Sequence, residues 1–180
     1  ITCADRGILE EIELAGYTVA AQRTRPLTYR VGGVGHTRDA LTGQMTLNAS
    51  LSSTLRWTGL LGQKIIPNDY LQASVAQREA LLSGPMDTDG YVDKLGRCDL
   101  TTVEEQLARA YFELVASLGF RPTLATKRAV LDGRDCGPKY EVQFTPDRPV
   151  FRLERKLARQ KRAGRFHRFR AISDVRETPS

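Results

Sequence analysis

This chain predicts an α+β fold built from two similar halves. Apolar residues recur at helical spacing in several separate stretches, and short β-leaning pairs lie between them. The same order of segments also occurs twice: Thr2 to Glu11 runs parallel to Leu100 to Leu107, and Leu14 to Val19 to Ala116 to Thr123. With 180 residues, 41% of them hydrophobic, the chain can bury a core in one domain or in two small repeats.

The first half opens on a strand-like piece, Ile1 to Asp5. Ile8, Leu9, Ile12 and Ala15 then recur at helical spacing, with Asp5 as a plausible cap and Gly16 as the stop. Tyr17 to Arg23 and Leu27 to Val31 lean to β around Pro26, Gly32 to Gly43 reads as a glycine-rich loop, and Leu47 to Leu60 as a helix. Leu51 and Leu55 face inward there, with Trp57 as a third candidate.

The second half has its leading helix, residues 75 to 88. Tyr91 to Val103 reads as a hairpin turning at Lys94-Leu95-Gly96. Glu104 to Gly119 is an amphipathic helix with Leu107, Tyr111, Leu114 and Leu118 on one stripe. Arg121 to Leu131 and Lys139 to Thr145 are strands joined by Asp132 to Gly137, and Leu153 to Ala163 is a basic helix.

Chemistry concentrates at the end of the leading helix, in Leu82-Ser83-Gly84-Pro85-Met86-Asp87-Thr88-Asp89-Gly90. Gly90 is expected to end the helix with a positive φ. Two carboxylates then face the negative end of the helix dipole, which is unfavourable without a compensating cation. A hard divalent ion such as Mg²⁺, bound through one or two carboxylates and otherwise by water or phosphate, meets that requirement. The alternative is a carboxylate at a helix end with no metal.

Leu82, Gly84, Asp87, Asp89 and Gly90 match the nine-residue signature of the LAGLIDADG homing endonucleases, and this part of the chain resembles that family. Upstream, Leu61-Gly62-Gln63-Lys64-Ile65-Ile66-Pro67 is similar to the Gly-x-Lys-x-Ile-Pro block of endonuclease-bearing inteins. Downstream, Gly137 to Thr145 resembles the late strand of the same domain. Arg168 to Arg176 resembles the point where inteins return to their splicing domain. The resemblance implies two αββαββα pseudo-repeats with antiparallel DNA-binding sheets. Residues 1–70 would form a first half lacking its leading motif helix, 71–165 the second half, and 166–180 a basic return segment.

The resemblance also implies a function: site-specific, metal-dependent cleavage of double-stranded DNA in support of intein homing. Asp89 would be the metal-binding catalytic acid for Mg²⁺ or Mn²⁺, with Asp87 the runner-up. Lys64 and Lys139 would polarise the attacking water or neutralise charge on the phosphate; otherwise they are phosphate-binding or solvent lysines. Gln63 and Gln143 are candidates for orienting water. A curved sheet in the major groove would use Arg23, Arg25, Tyr29 and Arg30 from the first half. From the second it would use Arg97, Asp99, Arg121, Thr123, Lys127, Arg128, Lys139, Glu141 and Gln143.

Composition agrees with a polyanion partner. The formal charge is +6, and residues 152–170 alone carry nine Lys or Arg against one acid, Glu154. A solvated helix face or linker would also account for that run. Cys3, Cys98 and Cys136 form no CxxC pair, which argues against a zinc site and for a reducing cytoplasm. No run is apolar enough to cross a bilayer, no signal peptide opens the chain, and no Walker A sequence occurs.

Two features depart from the family pattern. Pro85 stands where the family carries an apolar residue such as leucine, and interior proline costs a helix about 3 kcal/mol. A first motif helix is also missing, so a second acid is expected from flanking polypeptide or from a second copy of the chain. The resemblance suggests a replicative DNA helicase or phage terminase as host and the splicing domain of the same intein as partner. The alternative reading is a decayed or non-catalytic DNA-binding insert.

Overall fold

Asp132 and Gly133 both have positive φ, 49° and 77°, the requirement of a primed two-residue hairpin turn. They fold β5 (Thr123–Leu131) back onto β6 (Arg134–Phe144). The connection expected over Asp132 to Gly137 therefore contracts to two residues, and Arg134 to Gly137 join the strand. A register slip between Arg128 and Val130, opposite Pro138, absorbs the proline that a regular ladder cannot accommodate. The computed structural model describes residues 1–33 and 50–160.

Two further strands complete the larger sheet. β4 (Cys98–Thr102) lies antiparallel on the other side of β6, and β3 (Tyr91–Val92) pairs with β4 across the expected turn at Lys94 to Gly96. The sheet order is β3-β4-β6-β5, antiparallel throughout. Alternation along the strands buries Cys98, Leu100, Val142 and Phe144. The amphipathic helix, here α5 (Glu105–Ser117), covers that face. Leu114 and Leu118 are buried as expected and Leu107 and Tyr111 half-buried, but Ala108 and Val115 widen the stripe.

The leading helix, α4, spans Val75–Thr88. Ser74 starts it with a capping box: the Gln77 N–H donates to the Ser74 hydroxyl at 3.3 Å, and the Ser74 N–H to the Gln77 side chain at 3.1 Å. Pro85 lies within this helix without ending it, because the Asp89 and Gly90 N–H groups both return to the Pro85 carbonyl at 2.9 Å. Leu82 and Met86 enter the core with Leu100, Leu114, Phe120, Phe144 and Phe151. Arg148 ties the same layer together. It donates to Glu79 at 2.8 Å and to the Leu118 carbonyl at 2.8 Å, and stacks 4.4 Å from the centre of the Phe120 ring.

The first half has a smaller sheet. Asp5 caps α1 (Arg6–Leu14) through the Gly7 N–H at 3.0 Å, and Gly16, φ 89°, closes it. β1 (Val19–Ala21) pairs with β2 (Tyr29–Val31), and Thr2 forms an antiparallel bridge to Thr28 on the other side of β2. The order is thus residues 1–3, β2, β1, with α1 following the first piece. β4, β6 and β5 have the same order, with α5 following β4.

Between the smaller sheet and α4 run α2 (Leu51–Trp57) and α3 (Asn68–Leu71). Trp57 does not face inward; it is 89% exposed at the last helical position. The basic helix expected over Leu153 to Ala163 contributes a single turn, α6 (Glu154–Leu157). The loop after Gly33, the start of the 47–60 helix, residues 161–165 and the return segment 166–180 lie outside the described residues. Among the described residues, no helix is long and apolar enough to cross a membrane.

Gly90 departs from expectation in an informative way. Its φ is not in the left-handed region, so positive φ is not what demands glycine. Space is the reason: a Cβ there would lie 2.6 Å from the Met86 carbonyl oxygen and 2.7 Å from its Cα. Gly84, by contrast, has open space where a Cβ would stand. Gly90→Ala is therefore expected to destabilise by about 1–3 kcal/mol through overpacking. Gly84→Ala should stabilise by roughly 0.5–1 kcal/mol through helix propensity. Urea unfolding of the two variants against wild type checks both signs.

Candidate active site at the end of the motif helix

The two aspartates of the motif have different surroundings. Asp87 is buried, and its carboxylate accepts the Arg152 N–H at 3.1 and 3.3 Å and the Leu153 N–H at 3.2 Å. Those amides precede α6, so the carboxylate sits at the positive end of that short turn. With its oxygens so engaged, Asp87 supports the helix end. Asp89 is the C-cap residue of α4 and is exposed; its carboxylate accepts the Thr88 hydroxyl at 3.3 Å and otherwise faces solvent. Tyr111 lies close enough that the Asp89 charge, after burial itself, raises the phenol above its usual value.

The cation demanded by the helix end is present as a side chain that sequence reasoning missed. Lys156 is buried, and its ammonium donates to the carbonyls of Asp87 at 2.7 Å, Met86 at 2.8 Å and Gly90 at 2.8 Å. The Thr88 carbonyl lies farther off, at 3.5 Å. Three short bonds use all three ammonium protons. Burial, then the neighbouring Arg155, lowers the lysine's proton affinity, and Asp87, Asp89 and Asp5 oppose the shift. The available signal was the spacing Leu153, Lys156, Leu157, which puts a lysine among the apolar residues of its turn.

Asp89 supplies one free carboxylate, which suits an ion completed by water and phosphate oxygens. Among the described residues, no group of three or more His, Cys, Asp or Glu side chains is placed to hold a metal. The residues therefore fit one side of a metal site, with further ligands needed from elsewhere. Lys64 is exposed between α2 and α3. Lys139 is half-buried on β6 and pairs with Glu141 at 3.0 Å, not with Asp89.

The sheet face away from α5 collects most of the expected DNA-facing residues. Register sets Asp99 opposite Gln143, Thr101 opposite Glu141, and Lys127 opposite Lys139. Glu141 is buried between Lys127 and Lys139, with ion pairs to both. Asp99 has its carboxyl raised, first by burial and then by the Glu141 charge. Arg97 is exposed and pairs with Asp93 at 3.3 Å, and Arg121 is exposed just before β5. Arg128 follows Lys127 directly, so the pleat turns it to the other face, where it pairs with Asp135. In the first half, Arg23 and Arg30 line one open hollow with Ala20, Ala21, Gln22 and Thr24; Arg25 is exposed beside it, and Tyr29 is half-buried.

Comparison with known proteins adds two partial likenesses. Over 125 residues, 66% of this chain, it is 37% identical to the replicative DNA helicase DnaB of Mycobacterium intracellulare. Over 95 residues, 48% of this chain, it is 33% identical to the homothallic switching endonuclease of Saccharomyces cerevisiae. The aligned segments cover 22% of the first protein and 16% of the second, so the chain spans about a fifth or less of the curated relatives it matches. No family model matches the chain. These partial likenesses are thus to a replicative DNA helicase and to an endonuclease.

The Glu141 cluster predicts a pH dependence. The Lys127 hydrogen bond, opposed by burial and aided by Lys139, holds Glu141 below the ordinary glutamate value of 4.5. A lowered folded-state value means stability that is fully present above 4.5 and lost as pH falls through the lower folded value. Urea midpoints of the wild type should therefore fall on acidification below that point, and Glu141→Gln should fall less steeply.

Proposed function

We propose that this chain is the major part of an intein-borne LAGLIDADG homing endonuclease, cutting both strands of a specific DNA site with Mg²⁺ or Mn²⁺. The observation that carries this reading is the contrast between the two motif carboxylates. Asp87 is sealed beneath the helix end, whereas Asp89 is delivered to solvent at the same end. That is the arrangement needed if one acid builds the site and the other serves it.

The two partial likenesses support the same reading. One chain resembles a helicase over a fifth of that protein and an endonuclease over a sixth, yet carries no ATP-binding Walker sequence. An endonuclease segment carried within a helicase polypeptide would account for both. The repeated strand order, residues 1–3, β2, β1 and then β4, β6, β5, supports two pseudo-repeats of one unit. On this reading residues 1–70 and 71–165 are the two halves, and 166–180 leads back to the splicing domain. The second acid would come from a motif helix in the flanking polypeptide or from a second copy.

A divalent ion held there would supply Lewis-acid polarisation of a phosphate oxygen and an activated water. The chain's own residues have separate tasks. Asp89 offers the carboxylate. Lys64 and Lys139 neutralise charge on the phosphate. The exposed sheet face, with Arg97, Arg121, Lys127 and Gln143, enters the major groove, and Arg23, Arg25 and Arg30 continue that contact in the first half. Arg128 then holds backbone phosphate at the sheet margin.

The second reading is a decayed or non-catalytic DNA-binding insert. It is favoured by one observation: among the described residues no group of three or more His, Cys, Asp or Glu side chains is placed to hold a metal. Incubating a plasmid bearing the uninterrupted host sequence with the full-length polypeptide and Mg²⁺ separates the two. The expected outcome is linear product, with the rate reduced at least about a hundredfold in Asp89→Asn. DNA binding should survive and weaken steeply with salt. Binding without cutting by the wild type would establish the second reading instead.

A further inference from the structure

We infer that Lys156 is a positioning residue for Asp89, holding the last turn of α4 in the form that presents that carboxylate. The inference rests on the nuclease reading and names a residue outside the motif on which the site depends. The ammonium contacts the carbonyls of Met86 and Asp87 before Asp89 and of Gly90 after it, at 2.7–2.8 Å. Backbone carbonyls both before and after the ligand residue are thereby held by one side chain. Capping a helix does not by itself require contact beyond its last residue, yet the Gly90 carbonyl is included.

The backbone shows why such a device is needed. Helices commonly close through a residue in the left-handed conformation after the cap, and Gly90 does not adopt it. The lysine takes over the carbonyls that this closure would have satisfied. Asp87 completes the clamp from the other side, since its carboxylate holds the N–H groups of Arg152 and Leu153, four and three residues before Lys156. The same segment reaches the first half, through Arg155 to Asp5 and Arg152 to Glu11. The orientation of Asp89 is thus set by a strap that also grips α1.

The test compares wild type, Lys156→Met and Lys156→Arg in the full-length polypeptide. It measures the Mn²⁺ concentration giving half-maximal plasmid cleavage, DNA affinity in EDTA, and hydrogen exchange of a peptide covering residues 82–92. Lys156→Met is expected to raise the Mn²⁺ requirement about tenfold or more and to speed exchange at 86–90. DNA affinity in EDTA should stay within about threefold. Lys156→Arg keeps a cation in the clamp and should shift the Mn²⁺ requirement less; it is the variant to read if the methionine form does not fold. Faster exchange in either variant with a wild-type Mn²⁺ response would overturn the inference while leaving the nuclease reading intact. A wild type with no metal-dependent cleavage overturns both.

Discussion

The ammonium of Lys156 beneath the end of α4 is the contact on which the candidate site depends. Removing a lysine charge from water costs several kcal/mol even after relaxation. Three short bonds from a charged donor return about 1.5–3 kcal/mol each, and the negative end of the helix dipole adds up to roughly 2 kcal/mol. The balance favours a cation that stays where it is, provided every proton has a carbonyl. Asp87 reciprocates by capping the backbone of the segment that carries the lysine. Helix end and strap therefore stabilise each other.

This pairing changes how the motif is understood. Two carboxylates at a helix C-terminus suggest a metal as the neutralising charge. Neutralisation of the helix end itself is already accomplished within the protein. Asp89 is consequently left available, with its charge facing solvent rather than committed to holding the fold. The glycine after it serves close packing on Met86, which keeps the last turn short and brings the Gly90 carbonyl within reach of the lysine.

The sheet face has a comparable economy. Glu141 holds Lys127 and Lys139 together in the centre of a face otherwise edged by Arg97 and Arg121. A buried acid among lysines sets their spacing and lowers the net charge of the face. Contact with a polyanion there would compete with Glu141 for both lysines. Arg128, one residue from Lys127, illustrates how the strand pleat divides neighbouring basic residues between two surfaces.

Local chemistry was legible from the sequence. Asp5 as a cap, Gly16 as a stop, the bounds of α4 and the hairpin at Lys94 to Gly96 follow from propensity and spacing, which act between near neighbours. The failures arise where a longer-range effect intervenes. Trp57, the last residue of α2, is left exposed instead of facing inward. Asp132-Gly133 turns the chain so tightly that Arg134 to Gly137 are drawn into the strand. The sequence by itself determined the α+β class, the helix bearing the two aspartates and the excess of basic residues. Only the tertiary structure decided which aspartate is buried, which faces solvent, and that a lysine about 70 residues away neutralises the helix end. The reason is physical: a helix end can be read from adjacent residues, but the partner that satisfies its carbonyls is chosen by packing.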